Sequence, residues 1–249
     1  MNKLVAKFLY ERPSTKIAYQ KISGSSPGII FLGGFMSDMS GTKATEIYKF
    51  CKKNKKSFLR FDYLGHGKSS GNFEEGTIGK WKRNAIAILD RLTKGPQILV
   101  GSSMGAWIMM LVAQARPRRI RALVGLASAP DFTKQLLLKT LNKTQLTKLK
   151  NKGRIEIKSE YNSDPYVITK NLIDEGAKHC ILGKKITINR PIRLLHGLKD
   201  KDVPPLFSLR LANNINAEDL TVTFTKNGDH RLSDKNSLRQ ILSTINSLS

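Results

Sequence analysis

The sequence predicts an α/β fold in which a mostly parallel sheet carries helices on both faces. Two observations lead there. Short runs of apolar residues alternate with longer amphipathic segments, the pattern of βα units whose strands are buried on both sides. In the longer segments the apolar positions recur with a period near 3.6, as a helix lying on a sheet requires. With 249 residues and 40% apolar content the chain, residues 1–249, suffices for one large domain with a sizeable core.

The elements follow in order. Residues 16–23 alternate like a half-buried strand and pass through Gly24-Ser25-Ser26-Pro27-Gly28 into residues 29–32, an expected hairpin. Buried strands are expected at residues 57–62, 97–101, 122–127, 191–196 and 220–225. Ile78, Trp81, Ala85, Ile88, Leu89 and Leu92 share one helix face, closed by Gly95 and Pro96. Residues 106–113 are apolar all round and belong in a central helix, while residues 233–248 make the last one. About sixty residues separate Ser128 from Pro191, far more than a βα connection needs. They are read as a lid inserted at residues 131–190, with amphipathic stretches at 132–149 and 166–179.

Composition excludes several classes. The 43 Lys and Arg against 19 Asp and Glu give a net charge of +24, which invites a polyanion partner. The lysines are scattered, however, and the densest group, Lys52, Lys53, Lys55 and Lys56, closes a helix where cations suit the C-terminal dipole. With no aromatic-interleaved basic motif, nucleic acid is not an expected partner. Cys51 and Cys180 are too few for a disulfide framework and have no metal-like neighbours. No secretory h-region precedes Glu11, and no apolar run approaches the ~18 residues of a membrane span. A cytoplasmic placement is expected.

The chemistry lies in a Gly-x-Ser-x-Gly pattern, which marks a nucleophile elbow where it joins a strand to a helix. Three copies occur, at residues 24–28, 67–71 and 101–105. The first contains Pro27 and leads into another strand, and the second sits in the polar loop after Asp62. Only the third runs from a buried strand straight into an apolar helix, which selects Ser103 as nucleophile. A serine hydroxyl needs a base to take its proton and an acid to orient that base, in the chain order Ser, Asp, His. Of four histidines, His66 lies in a glycine loop, His179 in the lid and His196 at a strand end, whereas His230 follows the last strand. Position selects His230. The loop after residues 191–196 offers Asp200 first and Asp202 second, with Asp131 a more remote third. An oxyanion hole needs two backbone donors, expected from Met104, which follows the nucleophile, and from Phe35 after Gly33-Gly34.

Extended blocks add to this: Gly41-Thr42-Lys43-Ala44, Arg60-Phe61-Asp62-Tyr63, Gly79-Lys80-Trp81, residues 95–103, Ala115-Arg116-Pro117 and residues 191–197. Through them nearly the whole chain resembles the α/β-hydrolase superfamily and, within it, the mitochondrial palmitoyl-protein thioesterase and acyl-glucuronide esterase family. The lysine excess and Asn/Ile-rich ends look bacterial instead. The resemblance implies a serine thioesterase or esterase acting through Ser103, Asp200 and His230 by way of an acyl-enzyme. Its substrate would be a small ester or acyl thioester, or an S-acylated protein, with neither metal nor organic cofactor required. The pocket is expected to be apolar, walled by the lid and by Trp107 or Met104. A short-chain carboxylesterase, a C–C hydrolase and a non-catalytic binding module are the alternatives.

Overall fold

A computed structural model describes residues 5–157 and 165–249, so residues 158–164 of the expected lid lie outside the described residues. The chain opens with β1 (Lys7–Arg12), β2 (Thr15–Ile22), β3 (Ser25–Leu32), α1 (Thr42–Lys53), β4 (Lys56–Phe61) and α2 (Ile78–Leu92). Next come β5 (Gln97–Ser102), α3 (Met104–Ala115) and β6 (Ile120–Leu126). The long insertion starts with a π-helical turn (Thr133–Leu137) that runs into α4 (Leu138–Thr140) and α5 (Lys143–Lys152). It continues through β7 (Arg154–Ile157), β8 (Tyr166–Thr169), α6 (Lys170–Ala177) and β9 (Ile186–Thr187). The chain ends with β10 (Ile192–Gly197), α7 (Leu206–Asn214), β11 (Ile215–Asn216), β12 (Leu220–Thr225) and α8 (Lys235–Ser247).

Eight strands form the main sheet in the order β1-β2-β4-β3-β5-β6-β10-β12, parallel from β4 to β12. This is the α/β-hydrolase fold. The strands alternate their burial between two cores, as strands covered on both faces must. Ile29, Phe31, Ile98 and Val100 meet α1 and α8 on one side. Ile30, Leu32 and Leu99 meet α2 and α3 on the other, where Trp81 and Trp107 are fully buried.

The hairpin expected between residues 16–23 and 29–32 does not form, because β4 lies between β2 and β3. Gly24 shows why. A Cβ there would fall 2.3 Å from the Lys55 carbonyl oxygen, and the Ser57 hydroxyl bonds both the Gly24 amide (2.9 Å) and its carbonyl (2.7 Å). The chain therefore crosses over the start of β4. The hairpin partner of β2 is instead β1, in which only Leu9 is buried, so no alternation announces the strand.

Candidate active site

The Ser103, Asp200 and His230 segments all leave the sheet at the carboxyl edge of parallel strands, after β5, β10 and β12. Ser103 joins β5 to α3 at φ 55° and ψ −119°, a conformation an L-residue holds only under tertiary constraint. The flanking glycines make that turn possible. A Cβ on Gly105 would lie 2.2 Å from the Leu32 carbonyl oxygen, and one on Gly101 would lie 2.5 Å from that of Gly105. Other positive φ values gather at the same edge, at Met36 (51°), Ala127 (46°), Asp131 (55°) and Leu232 (46°).

The Ser103 hydroxyl lies 3.1 Å from His230 Nε2, and His230 Nδ1 lies 2.8 Å from Asp200 Oδ2. The structure thus brings the three sequence-selected residues into one hydrogen-bonded chain. Asp200 has a fully buried side chain. Burial alone would raise its pKa, but hydrogen bonds from His196 and His230, the charge on His230 and the Val203 amide outweigh it and hold the carboxyl well below the usual range. Its Oδ1 accepts from the amides of Asp202 (3.0 Å) and Val203 (2.8 Å). Asp202 itself is exposed, and its backbone amide is one of these donors to Asp200.

Asp131 has a different place. Completely buried, it accepts the Ile181 and Leu182 amides, each at 2.8 Å, and so ties the beginning of the insertion to its end. Sequence reasoning missed His196, which donates from Nε2 to Asp200 Oδ2 at 3.0 Å and reaches the Val203 carbonyl at the same distance. The one signal for it is a histidine at a strand end, four residues before Asp200. Asp200, Asp202 and His230 offer ligand atoms within 4.8 Å of one another, but the Asp200 oxygens are already taken by the two histidines and two amides.

The Met104 amide sits at the first turn of α3, where a helix has no internal acceptor for it. Phe35 follows Gly34, and a Cβ on Gly34 would stand 3.5 Å from that of Ser103, which sets the glycine turn directly against the serine. Among the described residues the Phe35 amide donates to no acceptor. Its ring packs against Phe73, Phe132 and Tyr166, with centroids 5.0, 5.5 and 6.1 Å away, so the insertion rests on it.

Ser103 and His230 line a cavity of about 560 Å³. One side is apolar, from Met104, Phe132, Leu136, Leu137 and Ile168; the other is polar, from Asp38, Thr42, Lys43 and Arg231. Trp107, expected in the wall, is instead buried in the core, with its indole N–H bonded to the His179 carbonyl at 3.1 Å. Residues 166–169 are strand rather than the start of α6.

Fold and elbow define a serine hydrolase of the α/β-hydrolase class. The chain belongs to the family described as serine aminopeptidase, S33, whose model matches residues 29–235. It is 41% identical over 242 residues to the mitochondrial palmitoyl-protein thioesterase ABHD10 of mouse, covering 97% of this chain and 81% of that one. The structure of mouse alpha/beta hydrolase domain-containing protein 10 superposes with a TM-score of 0.90 at 40% identity, over 98% of each chain. A putative hydrolase from Agrobacterium vitis gives 0.93 at 33% identity, over 99% of this chain and 98% of that one. The mouse relative, with its bovine and human counterparts, is named as mitochondrial, which overturns the expected cytoplasmic placement. Two free cysteines and the absence of a long apolar run are equally compatible with an organelle interior, so they never carried that placement.

Proposed function

We propose that this hydrolase cleaves acyl thioesters or carboxylic esters with Ser103 as nucleophile, His230 as general base and acid, and Asp200 as orienting acid. The observation that carries the reading is the Ser103–His230–Asp200 chain, at 3.1 and 2.8 Å, standing on a strained elbow beside a cavity lined in part by apolar residues. Ser103 Oγ attacks the acyl carbonyl as His230 Nε2 takes its proton, and the Phe35 and Met104 amides receive the oxyanion. His230 protonates the departing thiolate or alkoxide. Water then attacks the acyl-enzyme by the reverse proton path and frees Ser103.

The chain acts as one domain in which residues 131–190 are the lid. Its apolar residues Phe132, Leu136 and Leu137 receive the acyl chain, which favours long acyl groups. The substrate class follows the mouse relative's name, an S-acylated protein or a small acyl thioester.

The test is steady-state hydrolysis of an acyl-length series, short to palmitoyl, as paired thioesters and oxygen esters with Ser103→Ala as blank. A serine-dependent preference for long thioesters supports the reading. Preference for short oxygen esters keeps the triad and removes the thioesterase assignment, and no turnover removes both.

A further inference from the structure

Lys43 belongs to the Gly41-Thr42-Lys43-Ala44 block that the sequence singles out, and the chemistry above does not use it. It stands in the first turn of α1, where free helix amides disfavour a cation, and no acidic residue in that turn offsets it. It is nevertheless partly buried, in the wall of the Ser103 cavity. Burial, together with the nearby Arg231 guanidinium, pushes its pKa down to about 8 against the opposing pull of Asp229 and Asp200. A neutral side chain would be easier to place here. What the ammonium supplies is a hydrogen bond to the backbone carbonyl of Arg231, 188 positions away and next to His230.

We propose that Lys43 is a positioning residue, whose hydrogen bond to the Arg231 carbonyl holds the turn carrying His230 in register with Ser103 and Asp200. The proposal rests on the reading of His230 as the base. The turn is also held by the Lys199 amide, which donates to the Gly228 carbonyl at 2.9 Å, and by Asp229 Oδ1, which accepts the Leu232 amide at 3.0 Å, while Leu232, at φ 46°, plugs into the core shared with Ala44 and Ile47 of α1. Lys43 and Leu232 thus join α1 to the turn from two sides. His230 Nε2 must follow one proton from Ser103 to the leaving group, so a small shift of this turn costs rate rather than binding. Besides Asp229 and Asp200, which act on it through space, the charged or titratable groups sharing the cavity with Lys43 are Asp38 from the β3–α1 loop, Tyr166 of β8, Asp202 from the β10–α7 loop, His230 and Arg231.

The experiment measures kcat and KM for nitrophenyl butyrate between about pH 6 and 9.5 with wild type, Lys43→Met, Lys43→Arg and Ser103→Ala. Lys43→Met is expected to lower kcat by about tenfold or more with KM within about twofold, and Lys43→Arg to recover most of it. Wild-type kcat should fall modestly as pH rises through about 8, where the bond to the carbonyl loses its charge assistance but keeps an amine donor, and Lys43→Met should lack that fall. Melting temperatures establish folding, and Lys43→Gln replaces the Met variant if that one unfolds. A kcat in Lys43→Met within twofold of wild type, or an alkaline fall that persists in it, overturns the proposal while Ser103→Ala stays inactive. Turnover by Ser103→Ala overturns the reading of the triad beneath it as well.

Discussion

His196 and His230 hydrogen-bond the same oxygen, Oδ2 of Asp200, at 3.0 and 2.8 Å. His196 Nε2 also faces the Val203 carbonyl at 3.0 Å, and two acceptors require that nitrogen to carry the proton. Its Nδ1 then accepts from the Ser208 hydroxyl at 2.7 Å. His196 is fixed as a donor, and with the Asp202 and Val203 amides it leaves Asp200 one orientation, the one that faces His230.

Asp200→Asn should therefore lower kcat by about 10³ to 10⁴ with little change in KM, because an amide presents His230 with the wrong hydrogen-bonding partner. Asp202→Asn should stay within about fivefold of wild type, since that side chain is exposed and its backbone amide, which donates to Asp200, is kept. Steady-state kinetics on both variants separates the two acids.

His196→Leu leaves the buried Ser208 hydroxyl and Val203 carbonyl without their partner, a cost of about 1–3 kcal/mol. It also removes one of the donors that depress the Asp200 pKa. A depressed carboxylate stabilises the fold above its unfolded pKa of about 3.9, and that stability is lost as pH falls through the lower folded value. The variant should melt several degrees lower at neutral pH and unfold at higher pH during acid titration, both read by circular dichroism.

His66 is buried in a ring of Tyr63, Phe73 and Trp81, and burial lowers its pKa to about 4. The unfolded chain, with a histidine near 6.5, binds more protons between those values, so this group makes stability fall as pH drops from about 6.5 to about 4. His66→Phe should flatten melting temperature against pH in that window. An unchanged slope would show that other groups set it.

The elbow was legible because Gly101 and Gly105 flank a serine between a continuous apolar strand and an apolar helix, a purely local pattern. Asp200 and His230 followed from chain order, since each lies just beyond a recognisable strand. Strand order was not legible: whether β2 pairs with β3 or β4 depends on where the Gly24 backbone packs, a contact made with residues about thirty positions away. The places of Asp131 and Lys43 are also long-range, set by partners 50 and 188 positions away, whereas His196 meets Asp200, Val203 and Ser208 nearby in the chain but through a loop whose turn no local pattern fixes. A carboxylate that closes the insertion and one that serves a histidine look alike in a sequence.

Asp131→Ala should loosen the insertion where Asp131 holds the Ile181 and Leu182 amides. Limited proteolysis should cut faster within residues 131–190 than in wild type. KM for long-chain substrates should rise more than KM for short ones, as expected if the lid forms the acyl side of the cavity.

The most direct measurement is mass spectrometry of the enzyme quenched during turnover of an acyl thioester, with fluorophosphonate-labelled enzyme in parallel. The account predicts one acyl group, and one probe adduct, on the peptide bearing Ser103, with neither in Ser103→Ala. An adduct on another residue, or turnover that survives in Ser103→Ala, would contradict it.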